Sequence, residues 1–132
     1  MIKMYIDAAC SIPPQRIGIG IVIYKDKQQQ QLSIPLNKAL NNHEAEYEAI
    51  YQGLCYLIEK ELHHDIVLIY SDSKVVVTAL NRKSAKNSWQ QPYLDKILPL
   101  LNQLHHYYIE WFSDKENKMP DILAKRALTL RE

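Results

Sequence analysis

The sequence predicts an α/β fold, a five-stranded mixed sheet with helices on both faces. Two patterns carry this reading. Three stretches of strand character open the chain with no helical stretch between them, and from residue 43 onward helical periods alternate with short apolar or aromatic strand runs. Neither an internal repeat nor a linker of biased composition interrupts the 132 residues, so residues 1–132 are expected to form a single domain.

Residues 2–8 alternate, with Ile2, Met4 and Ile6 on one side and Lys3, Tyr5 and Asp7 on the other, which is the two-residue period of a strand. A turn at Pro13-Pro14 leads to the β-branched run at residues 17–24. Lys25 to Lys27 turns it into a polar third strand near residues 30–35, completing an antiparallel meander, and the glutamines at 28–31 read as a solvated turn and edge. Residues 43–60 then take a helical period, with Ile50, Gly53, Leu54, Leu57 and Ile58 as one stripe and Asn41 or Asn42 as its cap. Residues 66–70 form a compact strand, 74–80 a helix and 81–88 a loop. Leu94, Ile97, Leu98, Leu101 and Leu104 mark a further helix kinked or interrupted at Pro99, residues 106–112 return to strand, and Pro120 starts a last helix through Leu130.

Composition excludes several functions. An apolar content of 47% with 23% charge is ordinary for a globular chain, and no apolar run approaches the roughly 18 residues of a membrane span. The first residues enter the strand pattern without a basic segment or cleavage site, so no export signal is visible. Cys10 and Cys55 lack metal or redox spacing and read as free thiols, which places the protein in a reducing cytoplasm. Three glycines, Gly18, Gly20 and Gly53, are too few for a P-loop or a dinucleotide fingerprint. A formal charge of +1 means that contact with a polyanion has to come from a local patch. Adjacent residues on a helix or strand diverge, so the pairs His63-His64 and His105-His106 read as surface turn residues rather than zinc ligands.

Four acids stand where acids are costly. Rotation of about 100° per residue puts Glu46 over Ile50, Gly53 and Leu57, whereas Glu44 and Glu48 read as a solvated face. Asp72 ends the apolar strand, where an ordinary helix cap is its simplest explanation. Asp121 shares a helical face with Ala124 and Leu128 while Lys125 and Arg126 point away, and Asp7 alone reads as an exposed residue on a partly wet sheet face. Together, at sheet ends and helix starts, the four fit a convergent oxygen-ligand site that repels itself without cations. Hard divalent ions match such ligands, and two of them about 4 Å apart serve phosphodiester hydrolysis, as in a magnesium-type nuclease.

In this order the motifs resemble the ribonuclease H type 1 family over nearly the whole chain. The first-strand Asp is matched by Tyr5-Ile6-Asp7-Ala8, and the Asn-x-x-Ala-Glu helix start by Asn42-His43-Glu44-Ala45-Glu46. The Asp-Ser strand end is matched by Tyr70-Ser71-Asp72-Ser73, and the closing helix by Asn117 to Ala124. The resemblance implies a ribonuclease H-like fold and hydrolysis of the RNA strand of an RNA/DNA hybrid, leaving a 3′-hydroxyl and a 5′-phosphate. It also implies two magnesium ions, or manganese, held by Asp7, Glu46, Asp72 and Asp121 with substrate bound. Substrate contacts are expected at Ala8, Asn42, Ser73, Lys86, Asn87 and Asn117, by a monomer that reads backbone and 2′-hydroxyls rather than bases. Trp89 is expected to pack the start of the next helix rather than stack on the DNA strand.

The chain departs from the family where Ala8 replaces the usual Gly, where Pro13-Pro14-Gln15 occupies a Gly-containing turn, and where the loop Ser113 to Asn117 has no His. The basic protruding helix of some relatives has no counterpart. The alternatives are a weakly active or inactive nucleic-acid-binding module of this fold, or another nuclease of the same superfold.

Overall fold

The computed structural model describes residues 1–12 and 16–130, so the expected turn at Pro13-Pro14-Gln15 lies outside the described residues. Strands β1 (Ile2–Cys10), β2 (Ile17–Lys25) and β3 (Gln28–Leu36) precede helix α1 (Asn42–Glu59). Then come β4 (Ile66–Ser71), α2 (Lys74–Arg82), a single 3-10 turn Ser88–Gln90, α3 (Gln91–Leu101), β5 (His106–Trp111) and α4 (Met119–Ala127). The sheet order is β3-β2-β1-β4-β5, antiparallel within the meander and parallel from β1 to β4 and β4 to β5. Among the described residues, no helix is long and apolar enough to cross a membrane.

The period-two pattern of β1 and β2 separates the two faces. Ile2, Met4 and Ile6 join Ile17, Ile19, Ile21 and Ile23 in the main core, under Ile50, Leu54 and Leu57 of α1 and with α2 and α3 beside it. The opposite face carries Tyr5, stacked on Tyr70 at 4.4 Å between ring centroids and edge-on to Phe112, and it receives α4. Asn41 is the cap of α1: its side chain accepts from Glu44 N–H, and Glu44 returns a carboxylate to Asn41 N–H.

Several details differ from expectation. Helix α2 runs through Arg82 into the expected loop and stops where Lys83 turns left-handed at φ 58°. Pro99 does not break α3, because burial of Leu94, Ile97 and Leu101 holds the turns on either side of it. The adjacent histidines do not simply diverge to solvent: His63 and His64 have ring centroids 4.1 Å apart, and His64 meets His105 across two loops. Trp89 packs beside Tyr47 and His43 of α1, and Cys10 and Cys55 are free.

Two close approaches set the helices on the sheet. A Cβ at Gly53 would meet Met4 Sδ at 2.7 Å, so the absent side chain lets α1 settle onto β1. On the other face, a Cβ at Gly20 would lie 2.0 Å from the Pro120 carbonyl oxygen and 2.6 Å from Ala124 N, both backbone atoms that cannot swing aside. Gly20 is also the register partner of Asp7, so the first turn of α4, with Asp121, is seated directly beside that aspartate. Gly20→Ala is expected to lift α4 and cost about 1–3 kcal/mol, as overpacking does. Chemical denaturation measures the loss, and an unchanged midpoint would show that α4 is not held by this contact.

Candidate active site

Sheet geometry positions the first two acids. The β1–β4 register pairs Tyr5 with Tyr70, and the same offset of 65 carries Asp7 level with Asp72, one residue past the end of β4. Both therefore stand at the carboxyl ends of neighbouring parallel strands, where the crevice of an open α/β sheet forms. Ser73, not Asp72, caps α2, its Oγ accepting Val76 N–H at 3.3 Å, so capping does not account for Asp72.

Helix α1 supplies the third acid. Glu46 is buried in the first turns, and its Oε1 accepts Ala8 N–H at 3.1 Å, the same N–H that donates to Asp7 Oδ1 at 2.8 Å. Ser71 Oγ reaches its Oε2 only at 3.5 Å. Two residues on, Glu48 is buried as well, contrary to its expected solvated face. The two glutamates differ in their company. Glu48 holds Lys96 at 2.9 Å, Lys38 at 3.3 Å and Gln52 at 3.2 Å, a satisfied ionic cluster that ties α1 to α3. Glu46, Asp7 and Asp72 have no Lys, Arg or His in ion-pair contact among the described residues, yet each offers a carboxylate oxygen within 4.8 Å of the others.

A cavity of about 550 Å³ encloses this trio. Asp121 lines it but stands outside the trio, and Lys125, expected to point away, reaches back one turn to pair with it at 2.9 Å. Ala8, Asn42 and Ser73 line the same cavity. Lys86 and Asn87 do not; they line a neighbouring cavity of about 420 Å³ with Arg82, joined to the first through Lys74 and Val75. Asn117 lies elsewhere, donating to the Tyr24 hydroxyl at 3.2 Å and accepting Met119 N–H at 3.1 Å. Sequence reasoning missed Asp114, His43 and Lys74 in the acidic cavity. Asp114 occupies the loop before α4 and adds negative charge facing Asp7 and Asp72, but nothing in a five-residue polar loop marks which side chain turns inward.

A family model described as reverse transcriptase-like matches residues 5–127. EbsB of Enterococcus faecalis is 39% identical over 97% of this chain and 94% of its own length. Ribonuclease HI of Synechocystis sp. is 30% identical over 96% of this chain and 86% of its own length. The chain belongs to the ribonuclease H family. It has the ribonuclease H-like fold: LC11-RNase H1, crystallised with an RNA/DNA hybrid, superposes with a TM-score of 0.85 over 98% of this chain and 97% of that one, at 21% identity. By family the protein is a ribonuclease H-type hydrolase.

The electrostatics of this acidic cluster fit a divalent cation. Burial, then the Asp7 charge, pushes the Glu46 carboxyl well above the usual range. Burial also raises Asp7, although hydrogen bonds from Glu46 and Ala8 oppose it. Asp72 is pushed up to about 6 by burial and by the negative charge of Asp7 and Asp114. An all-oxygen donor set whose members resist ionisation for lack of positive charge suits a hard cation, and binding one displaces protons. Glu48 shows the opposite outcome: burial alone would raise it, but the Lys96 and Gln52 hydrogen bonds hold it below the ordinary value.

Signs follow for stability. Asp72 is raised when folded, so its ionisation opposes folding; the cost is absent below pH 4 and complete above about pH 6. Asp72→Asn should therefore raise the melting temperature of chelator-treated protein at neutral pH, by on the order of 1 kcal/mol after discounting for its half-exposed setting. The gain should shrink towards zero as pH falls to 4, and a gain independent of pH in melting curves would refute the electrostatic origin. Glu46→Gln should likewise stabilise metal-free protein, because it removes a buried charge without a counterion. Glu48→Gln should lower stability by about 1–2 kcal/mol, less than a fully buried pair would lose because both lysines are part-exposed. Parallel denaturation of the two variants checks the opposed signs.

Proposed function

We propose that this chain is a metal-dependent endonuclease that hydrolyses the RNA strand of RNA/DNA hybrids. It would work with two magnesium ions, manganese being the alternative, when substrate is bound. The observation that carries this reading is the convergence of Asp7, Glu46 and Asp72 with no cationic partner among the described residues, on a chain of the RNase H family. The hybrid in the LC11-RNase H1 structure supports the substrate class.

Asp7, Glu46 and Asp72 would hold the ions, with Asp121 joining from the rim of the cavity. Such ions supply activation of the attacking water, neutralisation of the scissile phosphate and stabilisation of the leaving oxygen. The chain's own groups do the rest. The Ala8 N–H donates to both Asp7 and Glu46 and so fixes two carboxylates relative to one another. The Ser73 hydroxyl accepts Val76 N–H and keeps its own proton to donate to a ribose or phosphate oxygen. Asn42, in the first turn of α1, offers an amide that both donates and accepts, which suits a 2′-hydroxyl. Lys74, Arg82 and Lys86 place positive charge along the adjoining cavity, where the nucleic-acid backbone would leave the acidic centre. With a whole-chain charge of only +1, that local strip is the available electrostatic grip.

An end-labelled RNA/DNA hybrid incubated with the protein and magnesium or manganese tests the proposal. Cleavage of the RNA strand is expected, with Asp7→Asn and Asp72→Asn removing measurable cleavage while remaining folded. A folded wild-type protein that binds hybrid but cleaves it with neither ion would overturn this reading in favour of a binding module. Preference for junction or duplex DNA at the same salt would assign it to another nuclease of the superfold.

A further inference from the structure

At the opposite end of the parallel strands, two loops bring histidines together. His64 lies just before β4 and His105 just before β5, and the first ladder pair beyond them is Ile66 with His106. The His105 N–H donates to the His63 carbonyl at 3.2 Å, so the backbone fixes the two loops before the side chains meet. His64 Nδ1 and His105 Nε2 are then 3.2 Å apart, and both residues are exposed.

Two imidazole nitrogens bound to one tetrahedral zinc at 2.0–2.1 Å stand about 3.3 Å apart. A straight N–H···N hydrogen bond of the observed length would instead separate the ring centroids by about 5.5 Å. The centroids are 4.8 Å apart with the planes at 79°, so the two nitrogens do not meet along one line between the ring centres. Beside them, His63 Nδ1 is buried with no hydrogen-bond partner among the described residues, in a ring whose centroid is 4.1 Å from that of His64. Asp65 is already engaged by the Met1 ammonium at 3.0 Å and by Ile66 N–H, which leaves the imidazoles as the donors.

We propose that His64 and His105 form a second metal site, a two-imidazole clamp for a zinc-class divalent ion whose remaining positions are filled by water. Its donors differ in kind from those of the carboxylate centre. Nitrogen ligands select borderline ions such as zinc, nickel or copper, whereas the carboxylates take hard ions. The two sites are separated by the length of β4, roughly 20 Å at 3.3 Å per residue. A bound ion would staple the α1–β4 connection to the α3–β5 connection, closing two loops at the foot of the sheet.

Zinc chloride titrated calorimetrically into the full chain tests the site, with the Asp72→Asn variant titrated in parallel to identify any zinc taken up by the carboxylates. Wild type should bind one zinc and gain thermal stability. His64→Gln and His105→Gln should each weaken zinc binding at least tenfold and abolish that gain, while melting like wild type without zinc. Asp72→Asn should keep the zinc affinity. Unchanged zinc binding in both histidine variants, or loss of it in Asp72→Asn alone, would overturn the proposal. Because binding is read without substrate, failure here is distinguishable from failure of the nuclease assignment.

Discussion

Three carboxylates share the end of one strand pair without a counterion among the described residues. Asp7 and Asp72 reach it because parallel register carries them level, and Glu46 reaches it because α1 lies close over β1. Burial raises the free energy of each ionised form, and mutual repulsion adds to it. A fold that keeps this arrangement needs compensation elsewhere, which the packed isoleucine core supplies. Glu48, two residues from Glu46 on the same helix, shows what a structural acid looks like in this protein: it is equally buried and is matched by two lysines and a glutamine. The contrast separates a site held ready for an external cation from a charge neutralised within the fold.

The remaining wall of the site depends on how closely α4 approaches the sheet. Gly20 sits opposite Asp7 in the β1–β2 register and beneath the Pro120 carbonyl, so one absent side chain sets the height of α4 beside that aspartate. Asp121, in the first turn of that helix, consequently borders the cavity without entering the tight cluster, and Lys125 occupies its carboxylate meanwhile. A weak i,i+4 pair of this kind, on an exposed lysine, is easily exchanged for a stronger partner. Asp114, in the loop before α4, adds a fifth acid to the same cavity.

Charge is arranged in zones across a nearly neutral molecule. Acid gathers at the carboxyl ends of β1 and β4, basic side chains line the adjoining cavity along α2, and imidazoles cluster at the opposite end of β4 and β5. Each zone has a different chemical character: carboxylate oxygens suit hard cations, basic side chains suit phosphates, and imidazole nitrogens suit borderline metals. The whole-chain charge of +1 conceals them, because the acidic and basic contributions offset one another and the histidines are counted as neutral.

Element type and order were legible in the sequence because they depend on local period: isoleucine alternation in β1 and β2, the helical stripe of α1 and the apolar run of β4. Glu46 was legible for the same reason, since helix rotation alone puts it over Ile50 and Gly53. Glu48 was misread because the helix meets α3 and Lys38 on a second side, and burial by a distant element leaves no mark on a helix's own periodicity. Likewise, the pairing of Lys125 with Asp121, the inward turn of Asp114, the seat of Asn117 beside Tyr24 and the meeting of His64 with His105 join residues whose rotamers or loops are set by three-dimensional neighbours. The sequence by itself determined which segments are strands and helices and which acids stand at their ends. Tertiary structure alone decided which of those acids go without a counterion, because a counterion is a matter of distance across the fold and sequence separation does not encode it.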